Sequence, residues 1–288
     1  ALSLLGKAYL YESSYAENYT SDPRFEGCAV KYDSALMYLE MIINSGEYEL
    51  VGENGETFDT YWNQNESPLY TETPGYRYIH SVDGDNSPES IFETQAVNDG
   101  LSNYMVPRGT YLTIYTTVRA TQSGTNLGWS FNCPTPELLA AYEVGDPRKM
   151  VTIGEEGDPI FVGGVWDAMD CRITPTNMLG RKFECSPEQF WGSYSSDGNS
   201  PKNFPYIRFA DVVLMAAEAE VELGNLEAAR ALVNQVRARA ANAQFWVKEY
   251  DDPNANAANY VISEYAASDF SDQATARDIV RFERKLEL

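Results

Sequence analysis

One segment of the chain, from Asn203 to Ala240, constrains the fold more than any other because it has the pattern of two amphipathic helices. A turn at Gly224-Asn225 divides it, and small or apolar residues recur at helical spacing on both sides. These residues are Val213, Ala216, Ala217, Leu226, Ala229, Val233 and Val236. Small side chains allow two helices to approach closely, and the spacing is that of the helix-turn-helix unit of a tetratricopeptide repeat.

Four further stretches have helical features. Ala1 to Glu12 and Tyr32 to Ser45 predict a first helical pair, joined by a polar segment. A helix is predicted to open at Pro134, with Thr135 as its cap, and to run through Glu143, and the last helix is predicted over Arg277 to Leu288. The predicted fold class is therefore mainly α, with tetratricopeptide-like helical hairpins as a superhelical scaffold.

The segments between these helices differ from them in composition. Asn, Gly, Thr and Tyr are frequent from Val51 to Ser130, where short runs such as Tyr111 to Val118 favour β-strands. We expect one domain over residues 1–288, in which helices hold position and loops carry contacts. The predicted scaffold covers residues 1–50, 135–145, 203–241 and 277–288, and the predicted loop-rich, ligand-facing insertions, with a few short strands, cover residues 51–134 and 146–202.

The charge balance excludes one class of partner. There are 21 Lys and Arg against 43 Asp and Glu, which gives a net charge of −22 at pH 7. Such a chain repels a phosphate backbone at long range, so no nucleic acid is expected as a partner. No run of about 18 apolar residues occurs, and a membrane-spanning helix is therefore not predicted.

The single histidine, His80, excludes several catalytic designs. A Ser-His-Asp or Cys-His arrangement would have to use it, and a multi-histidine metal site cannot be built. His80 lies in a polar, turn-prone stretch and is expected at the surface. Neither glycine-rich phosphate-binding pattern occurs in the chain, so we expect no cofactor and no metal ion.

The four cysteines lack the spacing of a zinc site. Cys171 and Cys185 flank a short loop that contains Pro and Gly, and they could form a disulfide bond in an oxidising compartment. The alternative, which the usual burial of free cysteine favours, is that Cys28, Cys133 and this pair are four unpaired, mostly buried thiols.

Acidic pairs leave an enzyme as an alternative function. Glu155-Glu156, or Asp167 with Asp170, could serve as the acid and base of a glycoside hydrolase. With 43 acidic residues, however, neighbouring carboxylates arise by chance, and a solvated surface explains them better. We therefore predict that the protein is not an enzyme. A glycoside hydrolase on a helical scaffold and a protein–protein adaptor are the alternatives.

Aromatic residues make up 13% of the chain, and many lie in the irregular regions beside Asn and Asp. A sugar ring packs its C–H face on an aromatic ring while its hydroxyl groups pair with amides and carboxylates, so this combination suits a glycan-binding site. The alternative for any single ring is that it covers the helices beneath the loops, and Trp129 is expected to be such a packing residue. The candidate ligand-binding residues are Trp62, Tyr76, Asn98, Tyr104, Trp166 and Trp191.

Several segments, in order along the chain, resemble those of the SusD/RagB family. They are LSLLGKAYLYE and YDSALMYLEMIINSGEYEL near the start, PESIFETQ at Pro88–Gln95, GWSFNCPTPELLAAYEVGDPR at Gly128–Arg148, the hairpin sequence described above, and RDIVRFERKLEL at Arg277–Leu288. The resemblance implies a SusD-like helical scaffold, in agreement with the periodicity.

The resemblance also implies a function. Members are non-catalytic nutrient-binding lipoproteins of the Bacteroidetes outer membrane, exposed at the cell surface and attached only through an N-terminal lipid. Each acts as the lid of a SusC-like TonB-dependent transporter, and an oligosaccharide is the expected ligand. A peptide-capturing member of the RagB type is the alternative. Compared with the family, the chain is expected to lack parts at both ends, because its first helix has no capping residue ahead of it and its last helix ends in mid-pattern.

Overall fold

Helices form the frame of the protein. The computed structural model describes residues 1–52, 78–82, 84–97, 109–116, 129–158, 174–184, 200–249, 252 and 254–288, and the structural statements below refer to these. The helices are α1 (Leu2–Asn18), α2 (Tyr32–Ile43), α3 (Leu112–Thr116), α4 (Pro136–Ala141), α5 (Pro147–Thr152), α6 (Phe209–Glu222), α7 (Leu226–Ala240) and α8 (Gln273–Glu287). The strands are β1 (Ser90–Thr94), β2 (Ile153–Gly154), β3 (Leu179–Gly180) and β4 (Phe204–Arg208). None of these helices is long and apolar enough to cross a membrane. The fold class is mainly α, as predicted.

The central element is α6. All of its residues from Phe209 to Val221 are buried, including the charged ones. A helix that is buried on every side has to be surrounded, and α2, α7 and α8 pack against it. Gly224 follows α6 with a φ of +84°, a left-handed conformation that glycine adopts without strain, and the chain turns there into α7. The hairpin predicted within Asn203 to Ala240 is therefore confirmed.

The first helical pair is also confirmed, although α1 is longer than predicted and does not end at Glu12. Ser13 explains the difference. Its buried hydroxyl donates to the carbonyl oxygen of Tyr9 at 2.7 Å and accepts from the amide of Lys31 at 2.7 Å. A polar residue can continue the buried face of a helix when both of its hydrogen-bonding functions are satisfied in this way.

Side-chain caps fix where three of the helices begin. The hydroxyl of Thr135 accepts the amide of Leu138 at 3.3 Å, which confirms the predicted cap of α4. Asp146 caps α5, so a new helix starts where the sequence predicted only the end of one. Asp272 accepts the amide of Thr275 at 3.0 Å, and α8 therefore starts one turn earlier than predicted.

Strands β1 and β4 form an antiparallel ribbon, and β1 lies within the segment PESIFETQ. Ile91 and Ile207 pack against the main helical core. Phe92, Phe204 and Tyr206 lie on the other face of the ribbon, because side chains alternate along a strand. Strands β2 and β3 form a second, shorter antiparallel pair.

The stretch Tyr111 to Val118, for which the sequence predicts a β-strand, contains helix α3 in its described part. The hydroxyl of Thr110 accepts the amide of Leu112 at 3.2 Å, and the hydroxyl of Thr116 donates to the carbonyl oxygen of Leu112 at 2.8 Å. Both bonds go to backbone groups of Leu112, the first residue of the helix, and these local contacts outweigh the β-propensity of threonine and tyrosine.

Four arginines and four carboxylates form a buried cluster where these elements meet. The carboxylate of Glu287 accepts from Arg239 at 2.5 Å and from Arg208 at 3.1 Å, and Glu89 accepts from the same two arginines. Cations and anions are equal in number, so the charges compensate each other away from water. This buried charge cluster consists of Glu89, Asp146, Arg148, Arg208, Arg237, Arg239, Glu283 and Glu287, each 5% exposed or less.

The cluster joins four of the segments that carry the family resemblance. PESIFETQ supplies Glu89, the segment that ends at Arg148 supplies a carboxylate and a guanidinium, the α6–α7 hairpin sequence supplies three arginines, and α8 supplies two glutamates. These residues hold the scaffold, and a ligand cannot reach them because they are buried.

His80 is buried, which corrects the expectation that it lies at the surface. It ends a 3₁₀ helix, Tyr78–His80, whose middle residue Ile79 belongs to a second core cluster with Val51 and Met150. The polar, turn-prone stretch is thus folded onto a core that its local sequence did not reveal.

Candidate functional site

A groove lined by aromatic rings opens at the end of the β1–β4 ribbon. Its volume is about 370 Å³, and it lies between the ribbon and the start of α3. We call it the aromatic groove; its lining residues are Thr94, Gln95, Ala96, Gly109, Thr110, Tyr111, Leu112, Phe204 and Tyr206.

Backbone pairing places the two walls of the groove. In the ribbon, Thr94 is the register partner of Phe204, so both lie at the same end of the strands. On the other side, Thr110 and Ser200 exchange two backbone hydrogen bonds of 2.8 Å and 3.0 Å. Because Ser200 lies four residues before β4 begins, this bridge holds the start of α3 beside the ribbon.

The aromatic rings of the ribbon form a continuous exposed surface. Phe92 stacks on Tyr206 with ring centroids 5.5 Å apart, and Tyr206 meets Phe204 edge-on at 4.8 Å. The side chain of Tyr206 is 55% exposed. Aromatic pairs of this geometry keep each other in one orientation, so the exposed ring faces are held ready for a ligand.

A second set of rings continues from the α3 wall. Tyr111 stacks on Tyr115 at 5.9 Å, and Tyr115 contacts Trp129 at 5.3 Å and Phe131 at 6.1 Å. Trp129 does pack, as expected, but against other surface rings, and 44% of it is exposed. It is therefore also available as a ligand platform.

The loop that carries this second set is strained. Ser130 and Asn132 have φ values of +55° and +56°, a left-handed conformation that is unusual for residues other than glycine. They flank Phe131, whose amide donates to the carbonyl oxygen of Tyr115 at 2.6 Å. Strained backbone of this kind persists where the surrounding structure holds it, and it is frequent at binding sites.

Amide side chains support the rim of the groove. The side-chain oxygen of Asn203 accepts the amide of Ala96 at 2.7 Å, and its side-chain nitrogen donates to Glu93 at 2.7 Å. Asn86 and Gln95 exchange two side-chain hydrogen bonds of 3.1 Å and 2.9 Å. The rim is therefore fixed by the protein itself before any ligand arrives.

A smaller cavity of about 270 Å³ adjoins the groove and includes Cys133, Lys182 and Phe183. Phe183 stacks on Phe204 at 5.9 Å and connects the two spaces. Burial raises the pKa of the Cys133 thiol, which keeps it protonated and makes it a poor nucleophile. Burial, followed by the nearby charge of Arg208, lowers the pKa of Lys182 to about 7.

The described lining of the groove is uncharged. None of its nine lining residues is charged, so the pair of carboxylates that glycoside hydrolysis requires is not among them. Glu155, one of the acids considered above, forms an ion pair with Lys149 at 2.5 Å. Within the described residues, no group of three or more His, Cys, Asp or Glu side chains is placed to hold a metal ion.

The candidate ligand-binding residues named from the sequence all lie outside the described residues. The same is true of Cys171, Cys185, Asp167 and Asp170. Cys28 and Cys133 are half-buried free thiols. The candidate ligand-binding residues outside the described part are Trp62, Tyr76, Asn98, Tyr104, Trp166 and Trp191.

Sequence reasoning missed the rings of the aromatic groove. Phe204 and Tyr206 alternate with Pro205 and Ile207, a period-two signal that marks one aromatic face and one core face of a strand. The signal was hidden because the same segment was assigned to the start of the helical hairpin.

Comparison with known proteins identifies the family. A model of the SusD family matches residues 88–288. No curated protein matches the chain. Among solved structures, the chain is similar to surface glycan-binding protein A from Bacteroides fluxus, with 18% identity and a TM-score of 0.61, over 100% of this chain and 48% of that one.

Two further structures show the same relationship. A SusD-like protein from Bacteroides fragilis has 19% identity and a TM-score of 0.61, and covers 99% of this chain and 50% of its own. A laminarin binding SusD-like protein has 22% identity and a TM-score of 0.57, and the match covers 100% of this chain and 50% of that one. The chain spans about half the length of the solved structures it matches, and at these identities the likeness shows the fold. Because the family model covers more than half of the sequence, the chain belongs to the SusD family.

Proposed function

We propose that the protein is a non-catalytic, cell-surface glycan-binding protein and that the aromatic groove is part of its binding site. The observation that carries this proposal is the exposed, mutually oriented set of rings along the groove. Membership of the SusD family supports it, and so does the similarity in fold to a surface glycan-binding protein and to a laminarin-binding protein.

The physical argument rests on complementarity to a sugar. The C–H face of a pyranose ring removes apolar area from water when it packs on Tyr206 or Phe204. The hydroxyl groups at its edge then meet the side chains of Thr94, Gln95 and Thr110, which can both donate and accept hydrogen bonds. Because the rings and the rim are fixed in advance, little conformational entropy is lost on binding.

The wider role follows from the family. We propose that the protein is a lid of a SusC-like TonB-dependent transporter in the outer membrane, that a lipid anchors it, and that an oligosaccharide is its cargo. The division into a scaffold and ligand-facing insertions belongs to the same proposal, with Trp62, Tyr76, Asn98, Tyr104, Trp166 and Trp191 as further ligand contacts.

Affinity gel electrophoresis tests the binding function. We expect wild type to be retarded in gels that contain at least one of laminarin, amylopectin, xylan or galactan, and Tyr206→Ala to lose about tenfold in affinity, which corresponds to about 1.4 kcal/mol. Phe282→Ala is the matched control, because Phe282 is an exposed ring on α8 that is not among the residues that line the groove. Its mobility should equal that of wild type.

Several outcomes would refute the proposal. If no polysaccharide retards the wild-type protein, or if Tyr206→Ala and Phe282→Ala behave alike, the aromatic groove is not a glycan site. Release of reducing ends from a polysaccharide by the pure protein would favour a glycoside hydrolase instead. Retention of peptides without any glycan would favour a member of the RagB type.

A further inference from the structure

Three aromatic side chains form another exposed cluster, at the end of α1. Phe25 stacks on Tyr15 with ring centroids 4.7 Å apart, and Tyr19 contacts Phe25 at 5.1 Å and Tyr15 at 6.0 Å. Tyr15 and Tyr19 are 41% and 49% exposed. We call Tyr15, Tyr19 and Phe25 the α1 aromatic cluster.

Hydrogen bonds of the chain hold this cluster in place. The carboxylate of Asp22 accepts the amide of Arg24 at 3.0 Å and caps the short 3₁₀ helix that carries Phe25. The guanidinium of Arg24 donates to the same carboxylate at 3.0 Å and 2.5 Å. The amide of Cys28 donates to the carbonyl oxygen of Phe25 at 3.0 Å. The rings are therefore preorganised, as those of the aromatic groove are.

The surroundings of the cluster suit a sugar. Its three rings lie outside the main helical core, so they keep apolar surface in contact with water. Asn18 and the ion pair of Asp22 with Arg24 lie beside them, and the side-chain oxygen of Asn18 and the remaining N–H groups of Arg24 are groups that pair with hydroxyls. A surface that combines fixed rings with such groups has the chemistry of the aromatic groove.

The α1 aromatic cluster and the aromatic groove lie at opposite ends of α6. Strand β4, which carries two rings of the groove, runs directly into the start of α6. The other end of α6 adjoins the cluster. Lys7 of α1 pairs with Asp211 in the first turn of α6 at 3.3 Å, and Ser14, one turn before the end of α1, lines the same cavity as Glu218, one turn before the end of α6, so the two helices end side by side. The 14 residues of α6 span about 21 Å.

We propose that the α1 aromatic cluster is a second glycan-binding site, which takes another segment of the polysaccharide held in the aromatic groove. This inference rests on the proposed function. Two sites on one rigid scaffold bind a long chain more tightly than either site alone, because the second contact is intramolecular. A short oligosaccharide cannot reach both sites, so it gains nothing from the second one.

The test uses the 288-residue chain with two probes. One is the polysaccharide of the affinity-gel panel that wild type retains, and the other is a set of its oligosaccharides too short to span about 21 Å. Tyr15→Ala/Tyr19→Ala removes two rings, and Tyr15→Phe/Tyr19→Phe keeps them as a matched control. We expect the alanine variant to lose tenfold or more in polysaccharide affinity with an unchanged oligosaccharide Kd. The phenylalanine variant should keep both.

If the alanine variant binds the polysaccharide as tightly as wild type, the proposal of a second site is wrong. It is also wrong if the variant loses affinity for the oligosaccharides to the same extent as for the polysaccharide. If circular dichroism shows that the double variant does not fold, Tyr19→Ser at the more exposed ring gives the same readout. A wild-type protein that binds no glycan overturns the proposed function and this inference together, whereas binding without any effect of the α1 variants overturns the inference alone.

Discussion

Replacing Glu287 with glutamine tests whether the buried charge cluster stabilises the fold. The side chain is fully buried, and its carboxylate accepts hydrogen bonds from Arg208 and Arg239. Burial acts to raise the pKa of this carboxyl, but the charges of Arg239, Arg208 and Arg148 overcome it and lower the pKa to about 2. The residue is therefore ionised at neutral pH, and Glu287→Gln removes a charge that several arginines share.

The expected loss of stability is large. Removing one partner of a buried ion pair leaves an uncompensated charge and costs about 3–5 kcal/mol. The unfolding entropy of 288 residues, at about 2.1 cal/mol/K per residue, is about 0.6 kcal/mol/K, so the melting temperature should fall by about 5–8 °C. Differential scanning calorimetry and circular dichroism at pH 7 measure the shift.

Glu227→Gln is the matched control. Glu227 also pairs with an arginine, Arg230, but its side chain is 71% exposed. A solvated pair of this kind is screened by water and contributes little to stability, so this variant should melt close to wild type. If Glu287→Gln melts within about 2 °C of wild type, or no lower than Glu227→Gln, the reasoning that assigns the cluster a stabilising role is wrong.

Two further predictions concern pH and backbone conformation. The side chain of Lys182 is neutral in the folded state above about pH 7 but remains protonated in the unfolded chain up to about pH 10. Unfolding between these pH values therefore takes up a proton, and the free energy of unfolding rises with pH. In urea titrations between about pH 7 and 9, Lys182→Met should flatten this rise, and an unchanged slope contradicts the assignment. Gly145→Ala should cost about 2–5 kcal/mol, because φ is +92° and a Cβ atom would lie 2.8 Å from the backbone of Val261. Gly157 has a similar φ of +90°, but a Cβ atom there would meet no neighbouring atom, so Gly157→Ala should cost only about 1–2 kcal/mol. Equal losses of stability in the two variants would show that the contact with Val261 contributes nothing.

The helical frame was predictable because helix signals are local. The repeat of small residues in α6 and α7, the glycine turn between them and the cap at Thr135 can each be read from a few neighbouring residues. The extension of α1 was not predictable, since it depends on Ser13 meeting the amide of Lys31 from another element. Local polarity alone made that stretch look like a loop.

Long-range pairing set the limit of prediction for the interior and for the site. Arg239 and Glu89 are 150 residues apart in the chain, and no local pattern indicates that they form an ion pair. The wall of the aromatic groove that contains Tyr111 is placed by the bridge between Thr110 and Ser200. These two residues are also far apart in the chain, and no local pattern indicates that they pair. Composition therefore indicates only which class of side chain is abundant in the loops, while tertiary contacts determine which rings come together.

The arrangement of the buried charge cluster has a consequence for biosynthesis. Its arginines at 148, 208, 237 and 239 are all translated before Glu283 and Glu287, which lie in α8. Until α8 has left the ribosome and docked, these guanidinium groups lack half of their four counterions and have to remain hydrated. Arrival of α8 therefore acts as the closing step that lets the interior of the nascent protein become dry.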